Sequence, residues 1–112
     1  MKRGEVWTIA GAGGYAGKPR PVLIVQDDVF DRTESVTVCA FTTDPADAPL
    51  FRVAIAPTSQ NGLCEPSRLM VDKLTTTHRS KLGARIGRVD EADMLRFNRA
   101  AILFLGLLGS GA

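Results

Sequence analysis

Two prolines and a run of four apolar residues constrain the fold of this chain more than any other feature. Pro19-Arg20-Pro21 restricts the backbone angles at each proline and at the residue before it, which favours an extended conformation. The apolar run Val22-Leu23-Ile24-Val25 follows directly and is typical of a β-strand covered on both faces. The sequence therefore predicts a strand over residues 22–26 with a rigidly held arginine, Arg20, at its start.

A glycine-rich loop precedes this arginine. Residues 11–17 contain four glycines, so the backbone there has unusual freedom beside a fixed guanidinium. A permanent cation next to a mobile loop suits the binding of phosphate or carboxylate. A loop followed by a structural salt bridge explains the same residues equally well, and the stretch alone does not decide between the two.

Short segments rich in β-branched residues alternate with turn-forming residues along most of the chain. We expect further strands over residues 5–9, 35–42, 51–55, 68–71 and 84–89. Two prolines bracket a loop over residues 44–50, and Asn61-Gly62 favours a turn over residues 57–62 because both residues accept a positive φ. Five or six short strands followed by one helix favour an α+β, mainly β fold with a small, strongly curved sheet or barrel.

The helix is the best-marked element. Asp90 is a suitable N-cap, and Glu91 and Asp93 lie near the positive end of the helix dipole. Gly106 and Gly109 are the expected stop signals. Apolar residues recur at helical spacing and form one face: Met94, Phe97, Ala101, Phe104, Leu105 and Leu108.

The apolar surface of this helix is wider than one stripe, because Ile102, Leu103 and Leu107 extend it. Such a helix often packs on its own domain and on a partner subunit at once. The pattern favours a homodimer, although burial of the helix end against the sheet would give a similar pattern.

Composition bounds the class of protein. A chain of 112 residues fits one domain over residues 1–112, and a net charge of +2 is too mild to indicate a nucleic-acid binder. No apolar leader follows the charged start, and the apolar stretch 100–108 is too short to cross a bilayer. Cys39 and Cys64 are widely separated, so we expect reduced thiols in a cytoplasmic protein and neither a metal site nor a cofactor.

Familiar catalytic motifs are missing from the sequence. We find no Ser-His-Asp set, no zinc-ligand spacing and no phosphate-binding Gly-Lys-Ser loop, and the only histidine, His78, is expected in a solvated loop. Polar residues at the predicted strand ends remain, namely Arg20, Thr42, Thr43 and Asp72. If the second and third strands are neighbours, Arg20 and Thr42 lie at the same edge of the sheet.

Several short motifs follow one another in a recognisable order: Arg3-Gly4-Glu5-Val6-Trp7, Lys18-Pro19-Arg20-Pro21, Thr42-Thr43, Asp72-Lys73-Leu74, Ile86-Gly87-Arg88-Val89 and the amphipathic helix. This order resembles the MazF/Kid (PemK-like) toxins of bacterial toxin–antitoxin systems. The resemblance extends from Arg3 to Leu107. Its more specific parts are the opening motif and the Arg-Pro-Val-Leu-Ile-Val run.

The resemblance implies a curved, antiparallel SH3-like barrel with a C-terminal helix, assembled as a homodimer. It also implies metal-independent, sequence-selective cleavage of single-stranded RNA by attack of the ribose 2′-OH. An antitoxin with an acidic disordered segment would hold the protein inactive. Within this family the catalytic arginine corresponds to Arg20, the threonine closing the third strand to Thr42, and an acidic pocket position to Asp72.

Further RNA contacts are expected from Tyr15, which can stack on an unpaired base, and from Lys18, Thr43, Asp72 and Lys73. Trp7 and Phe41 alternate inward and are expected in the core instead. The first loop lacks the glutamate or histidine that some family members carry, and Met70 replaces an arginine found in others. A non-catalytic toxin of the same fold, similar to the gyrase-poisoning CcdB toxins, and an inactive homologue that only sequesters its antitoxin are the alternatives.

Overall fold

Antiparallel strands make up most of the structure. The computed structural model describes residues 1–10, 18–45, 48 and 50–109. Within them the regular elements are β1 (Glu5–Ile9), β2 (Arg20–Ile24), β3 (Ser35–Thr42), β4 (Arg52–Ile55), β5 (Ser67–Met70), β6 (Thr75–His78), β7 (Leu82–Arg88) and α1 (Glu91–Phe104). Short 3-10 helices span Asp28–Phe30, Val71–Lys73 and Arg79–Lys81.

The seven strands form one curled sheet in the order β4-β5-β3-β2-β1-β7, and β6 pairs with β3 beyond the end of β5. The predicted mainly β architecture with a C-terminal helix is confirmed. The sheet is curled rather than closed, because the end strands β4 and β7 do not pair with each other among the described residues. None of the helices in the described residues has the length and apolar character needed to cross a membrane.

Strand alternation sends apolar side chains to two separate clusters on opposite faces of the sheet. The cluster that includes residues of α1 contains Val6, Leu23, Cys39, Phe41, Val53, Ile55, Leu63, Leu69, Val71, Val89, Phe97 and Ala100. The cluster on the other face contains Val22, Ile24, Val36, Val38 and Leu82. The core positions predicted for Cys39 and Phe41 are confirmed, and Trp7 packs partly buried against the second cluster.

Helix α1 begins as predicted, since the Asp90 carboxylate accepts the Asp93 backbone N–H at 2.8 Å. It ends before Gly106, which has φ of +69°. Phe97 and Ala100 are its buried residues. Phe104, Leu105 and Leu108, which belong to the predicted apolar face, are 46%, 52% and 77% exposed in the single chain. The Phe104 ring still contacts the Phe51 ring, with centroids 6.1 Å apart, at the margin of the first cluster.

The local signals predicted some strand boundaries better than others. Strands β1 and β3 occupy the predicted residues, whereas β2 begins two residues early and includes Pro21. The expected loop around His78 is wrong, because residues 75–78 form β6. Its register with β3 places Thr76 opposite Thr37, and the two hydroxyls hydrogen-bond at 2.9 Å.

Phe97 is expected to anchor α1 to the sheet. Phe97→Ala should lower the free energy of unfolding by about 3–5 kcal/mol, because it removes a fully buried ring and leaves a cavity. Leu95→Ala on the same helix, where the side chain is half exposed, should cost only about 0.5 kcal/mol. Urea unfolding followed by circular dichroism measures both. Equal losses would show that the helix is not docked through Phe97.

Candidate active site

The strand register brings the predicted catalytic pair together. Strand β2 runs antiparallel to β3, with Val22 opposite Ala40 and Ile24 opposite Val38. Continuing that register by two residues puts Arg20 opposite Thr42, at the end where β2 begins and β3 finishes. Side chains at directly opposite positions have Cβ atoms about 4.5–5.5 Å apart. A single phosphate can therefore contact both residues.

The hydroxyl of Thr42 has a defined orientation. Its Oγ1 accepts the backbone N–H of Asp44 at 3.1 Å, which closes a short turn after β3. Because one lone pair is used in this way, the hydroxyl hydrogen can be donated to a ligand. Arg20 is exposed and carries a planar guanidinium with several N–H donors. The pair thus presents hydrogen-bond donors to a bound anion.

Side chains alternate between the two faces of a strand, and the even-numbered residues of β2 and β3 belong to the second apolar cluster. Arg20 and Thr42 are also even-numbered, so they lie on that face of the sheet, away from α1. A groove of about 720 Å³ is lined at one point by Pro19, the residue before Arg20. Hydroxyl-bearing residues and one lysine account for most of its polar lining, which comprises Thr8, Thr75, Thr76, Thr77, Ser80 and Lys81. We call it the threonine groove. Its hydroxyls can both donate and accept hydrogen bonds, which suits the edges of nucleotide bases.

Asp72 has a structural partner that the sequence did not indicate. The Arg52 guanidinium donates two parallel hydrogen bonds to its carboxylate, from Nε at 2.8 Å and from Nη2 at 3.1 Å. These bonds from Arg52 hold the pKa of Asp72 below its ordinary value despite partial burial. Asp72 is therefore a firmly ionised carboxylate that ties the 3-10 helix after β5 to β4.

Of the remaining predicted RNA contacts, Lys18 and Thr43 are close to the Arg20–Thr42 pair in the sequence. Lys18 is exposed two residues before Arg20, and Thr43 is exposed directly after Thr42. Lys73 is exposed in the 3-10 helix that also contains Asp72. Tyr15 lies outside the described residues.

Sequence reasoning missed Arg68. In the register between β3 and β5, Thr42 is directly opposite Arg68. Thr42 therefore has an arginine at the matching position on each neighbouring strand, Arg20 in β2 and Arg68 in β5. Alternation in β5 does place Arg68 on the face opposite the buried Leu69. The register that brings it beside Thr42 cannot be read from the sequence.

The two cysteines take no part in this site. Cys39 is buried, and burial together with the nearby Asp72 carboxylate raises the pKa of its thiol to about 12. Its thiol is neutral and unreactive at physiological pH, as expected of a core residue. In the described part of the chain, histidine, cysteine and acidic side chains form no group of three that could hold a metal ion.

Comparisons with known proteins match this chain to one family of toxins. The sequence model of the PemK-like, MazF-like toxins of type II toxin–antitoxin systems matches residues 2–105. A probable endoribonuclease MazF from Mycolicibacterium smegmatis is 56% identical over 109 residues, which are 97% of this chain and 100% of that protein.

Solved structures agree with these matches. The structure of a mycobacterial endoribonuclease in complex with its cognate antitoxin superposes with a TM-score of 0.78 at 27% identity and covers 96% of each chain. The Mycobacterium tuberculosis toxin MazF-mt6 superposes with a TM-score of 0.75 at 26% identity, covering 91% of this chain and 96% of that one.

The Arg52–Asp72 ion pair should stabilise the protein in a pH-dependent way. Asp72→Asn is expected to lower the free energy of unfolding at pH 7 by about 1–3 kcal/mol, because it leaves the Arg52 guanidinium poorly paired. Since the folded pKa of Asp72 is lowered, the stabilisation is complete above the ordinary value of 3.8 and is lost as pH falls through the folded pKa. Urea unfolding at several pH values measures this difference.

A matched control comes from the exposed pair of Lys2 and Asp31, whose Nζ and Oδ2 atoms are 3.0 Å apart. Asp31→Asn removes an exposed carboxylate and should leave stability close to wild type. If Asp72→Asn were no more costly than Asp31→Asn, the structural role of Asp72 would be wrong.

Proposed function

The chain belongs to the PemK-like, MazF-like toxins of type II toxin–antitoxin systems, and we propose that it is an endoribonuclease that cuts single-stranded RNA. The observation that carries this proposal is the register of β2 against β3, which places Arg20 opposite Thr42 when it is continued by two residues. The endoribonuclease name of a relative that is 56% identical over nearly its whole length supports the same conclusion.

The proposed reaction uses a nucleophile that the substrate supplies. The ribose 2′-oxygen attacks the adjacent phosphorus, a new P–O bond forms, and the bond from phosphorus to the 5′-oxygen breaks. The 2′-OH loses its proton and the leaving 5′-oxygen gains one, so the products are a 2′,3′-cyclic phosphate and a 5′-OH. Neither a protein nucleophile nor a metal ion is needed. The protein has to align the 2′-oxygen and stabilise the charge that develops on the phosphate.

Arg20 is assigned to the phosphate. Its planar guanidinium can donate two parallel N–H bonds to the non-bridging phosphate oxygens, where negative charge accumulates in the transition state. A role as general acid is less suitable, because a guanidinium gives up its proton too reluctantly. Electrostatic stabilisation is therefore its main contribution.

Thr42 is assigned to the same phosphate or to the 2′-OH. The bond that its Oγ1 accepts from the Asp44 N–H orients the side chain and leaves its hydrogen to donate. Residues that flank the pair would contact the rest of the strand. These are Tyr15 by stacking, Lys18 and Lys73 by charge, Thr43 by its hydroxyl, and Asp72 by its carboxylate or by fixing its surroundings.

The expected assembly is a homodimer inhibited by an antitoxin. Exposed apolar side chains at the end of α1 and just beyond it support the dimer: Phe104, Leu105, Leu107 and Leu108. A mycobacterial endoribonuclease of the same fold has been solved with its cognate antitoxin. We expect the protein to act in the cytoplasm, where it meets both RNA and antitoxin. Light scattering coupled to size exclusion tests the dimer, and a single 12 kDa species would contradict it.

Cleavage in excess EDTA is the decisive prediction. Wild type should cut a mixed-sequence single-stranded RNA at specific sites and leave 2′,3′-cyclic phosphate and 5′-OH ends, which mass spectrometry identifies. Arg20→Ala and Thr42→Val should each lower kcat by about 10²–10³, the usual cost of losing one donor that stabilises the transition state.

Arg32→Ala is the matched control, because Arg32 is an exposed arginine in a turn before β3. It should cleave like wild type. A folded wild-type protein that cuts no RNA would contradict the proposal and favour the non-catalytic toxin. Full activity in Arg20→Ala would overturn its assigned role.

An acidic peptide should inhibit the enzyme. Carboxylates compete with phosphates for the same guanidinium and ammonium groups, and a disordered segment with an apolar anchor can fold along the site. A synthetic peptide of glutamate and aspartate with leucine anchors is expected to reduce the cleavage rate in a concentration-dependent manner. Unchanged cleavage at saturating peptide, or equal inhibition by the same peptide with amides in place of the carboxylates, would contradict this prediction.

A further inference from the structure

A row of matching positions crosses the sheet from the catalytic pair to its edge. Thr42 is opposite Arg68 in β5, and Arg68 is opposite Ala54 in β4. With Arg20 on the other side of Thr42, the row spans four neighbouring strands. At about 4.8 Å between strands the row is about 14 Å long. This length is several times the ~3.4 Å rise per nucleotide of a stacked strand, so the row can accommodate more than one nucleotide.

The far end of the row opens into a second groove, of about 480 Å³, between β4, β5 and α1. It is lined by Leu50, Arg52, Val53, Ala54, Arg68, Arg96, Arg99, Ala100 and Leu103. We call it the arginine groove. Four of these side chains are guanidiniums and none is a carboxylate. Ala54 and Arg68, the last two positions of the row, both line this groove.

The guanidiniums of this groove differ in how they are held, and Arg68 is among those with an interaction of its own. Arg52 is paired with Asp72, and Arg96 donates from Nη1 to the Asp93 carboxylate at 2.9 Å. Arg99 is exposed, and within the described part of the chain it has no hydrogen bond or ion pair. Two of the guanidiniums thus give the groove a fixed wall, and Arg99 can turn toward an incoming anion.

Strand β4 lies at the edge of the sheet, and one of its outward backbone groups is already hydrogen-bonded. Arg96 Nη1 donates to the backbone carbonyl of Ala54 at 2.7 Å. A peptide that added to β4 as a further strand would need that carbonyl. The groove is therefore better suited to an anion held by guanidinium side chains than to an extended peptide held by backbone hydrogen bonds.

We propose that the arginine groove is a second phosphate subsite, which holds the RNA strand through Arg68 and Arg99 where it leaves the Arg20–Thr42 centre. This inference rests on the proposed endoribonuclease function. The strand then lies across the β-strands and follows the row from β2 to α1. Guanidiniums suit this task because they bind phosphate oxygens through paired N–H groups.

Binding of an uncleavable RNA tests this subsite. The probe is the RNA that wild type cuts, fluorescently labelled and carrying a 2′-deoxynucleotide at the cleavage position, and anisotropy gives the affinity at several salt concentrations. Arg68→Ala and Arg99→Ala should each weaken binding about tenfold and lower the slope of log K against log salt by about one, as expected for one lost phosphate contact. Arg32→Ala, with the same change of charge, should bind like wild type.

Truncation of the probe adds a readout that a purely structural effect would not change. Removing nucleotides from the end that enters the groove should abolish the difference between wild type and Arg99→Ala. If Arg68→Ala and Arg99→Ala bind RNA as Arg32→Ala does, while wild type binds and cuts RNA, the subsite is wrong and the proposed function stands. If these variants lose affinity only for a labelled glutamate–leucine peptide, the groove binds protein and the subsite is also wrong. Failure of wild type to bind or cut any RNA would overturn the proposed function itself.

Discussion

The backbone hydrogen bonds of β3 decide where the candidate site residues lie, because this strand pairs with β2 along one edge and with β5 and β6 along the other. Their register sets Thr42 between Arg20 and Arg68. A slip of one residue would turn Thr42 toward the opposite face and remove Val36 and Val38, which are fully buried, from the second cluster. The apolar packing of the second cluster therefore holds the geometry of the proposed catalytic pair.

Charge pairing separates structural from substrate-binding groups in this region. The bidentate bonds from Arg52 keep Asp72 ionised with a lowered pKa, so this carboxylate has little tendency to take a proton from a ribose hydroxyl. Its contribution is to hold the 3-10 helix after β5 against β4. Thr42, in contrast, uses its oxygen on the Asp44 N–H and keeps a donor for the substrate. The substrate thus meets hydrogen-bond donors, whereas the Asp72 carboxylate is already used in its ion pair with Arg52.

Short sequence patterns were sufficient to predict the elements that are determined by neighbouring residues alone. Alternation predicted β1 and β3, and the Asp90 cap predicted the start of α1. Strand β6 was missed because its threonines show no apolar alternation, so only pairing with β3 identifies it. The proximity of Arg20 and Thr42 followed from the sequence only on the condition that β2 and β3 are neighbours. The roles of Arg52 and Arg68 could not be predicted, because they depend on the register between β4, β5 and β3.

A site built from an arginine and a threonine can catalyse the proposed reaction because RNA brings its own nucleophile. The 2′-OH lies next to the phosphorus that it attacks, so the protein supplies alignment and charge stabilisation, the two effects that Arg20 and Thr42 can provide. DNA lacks this hydroxyl and would bind the same guanidiniums without being cut. Selection of RNA over DNA then arises in the chemical step, whereas affinity comes from phosphate contacts along the row. The arginine groove can therefore add binding strength without altering the reacting groups, which lie on β2 and β3 beyond Arg68 at the near edge of the groove.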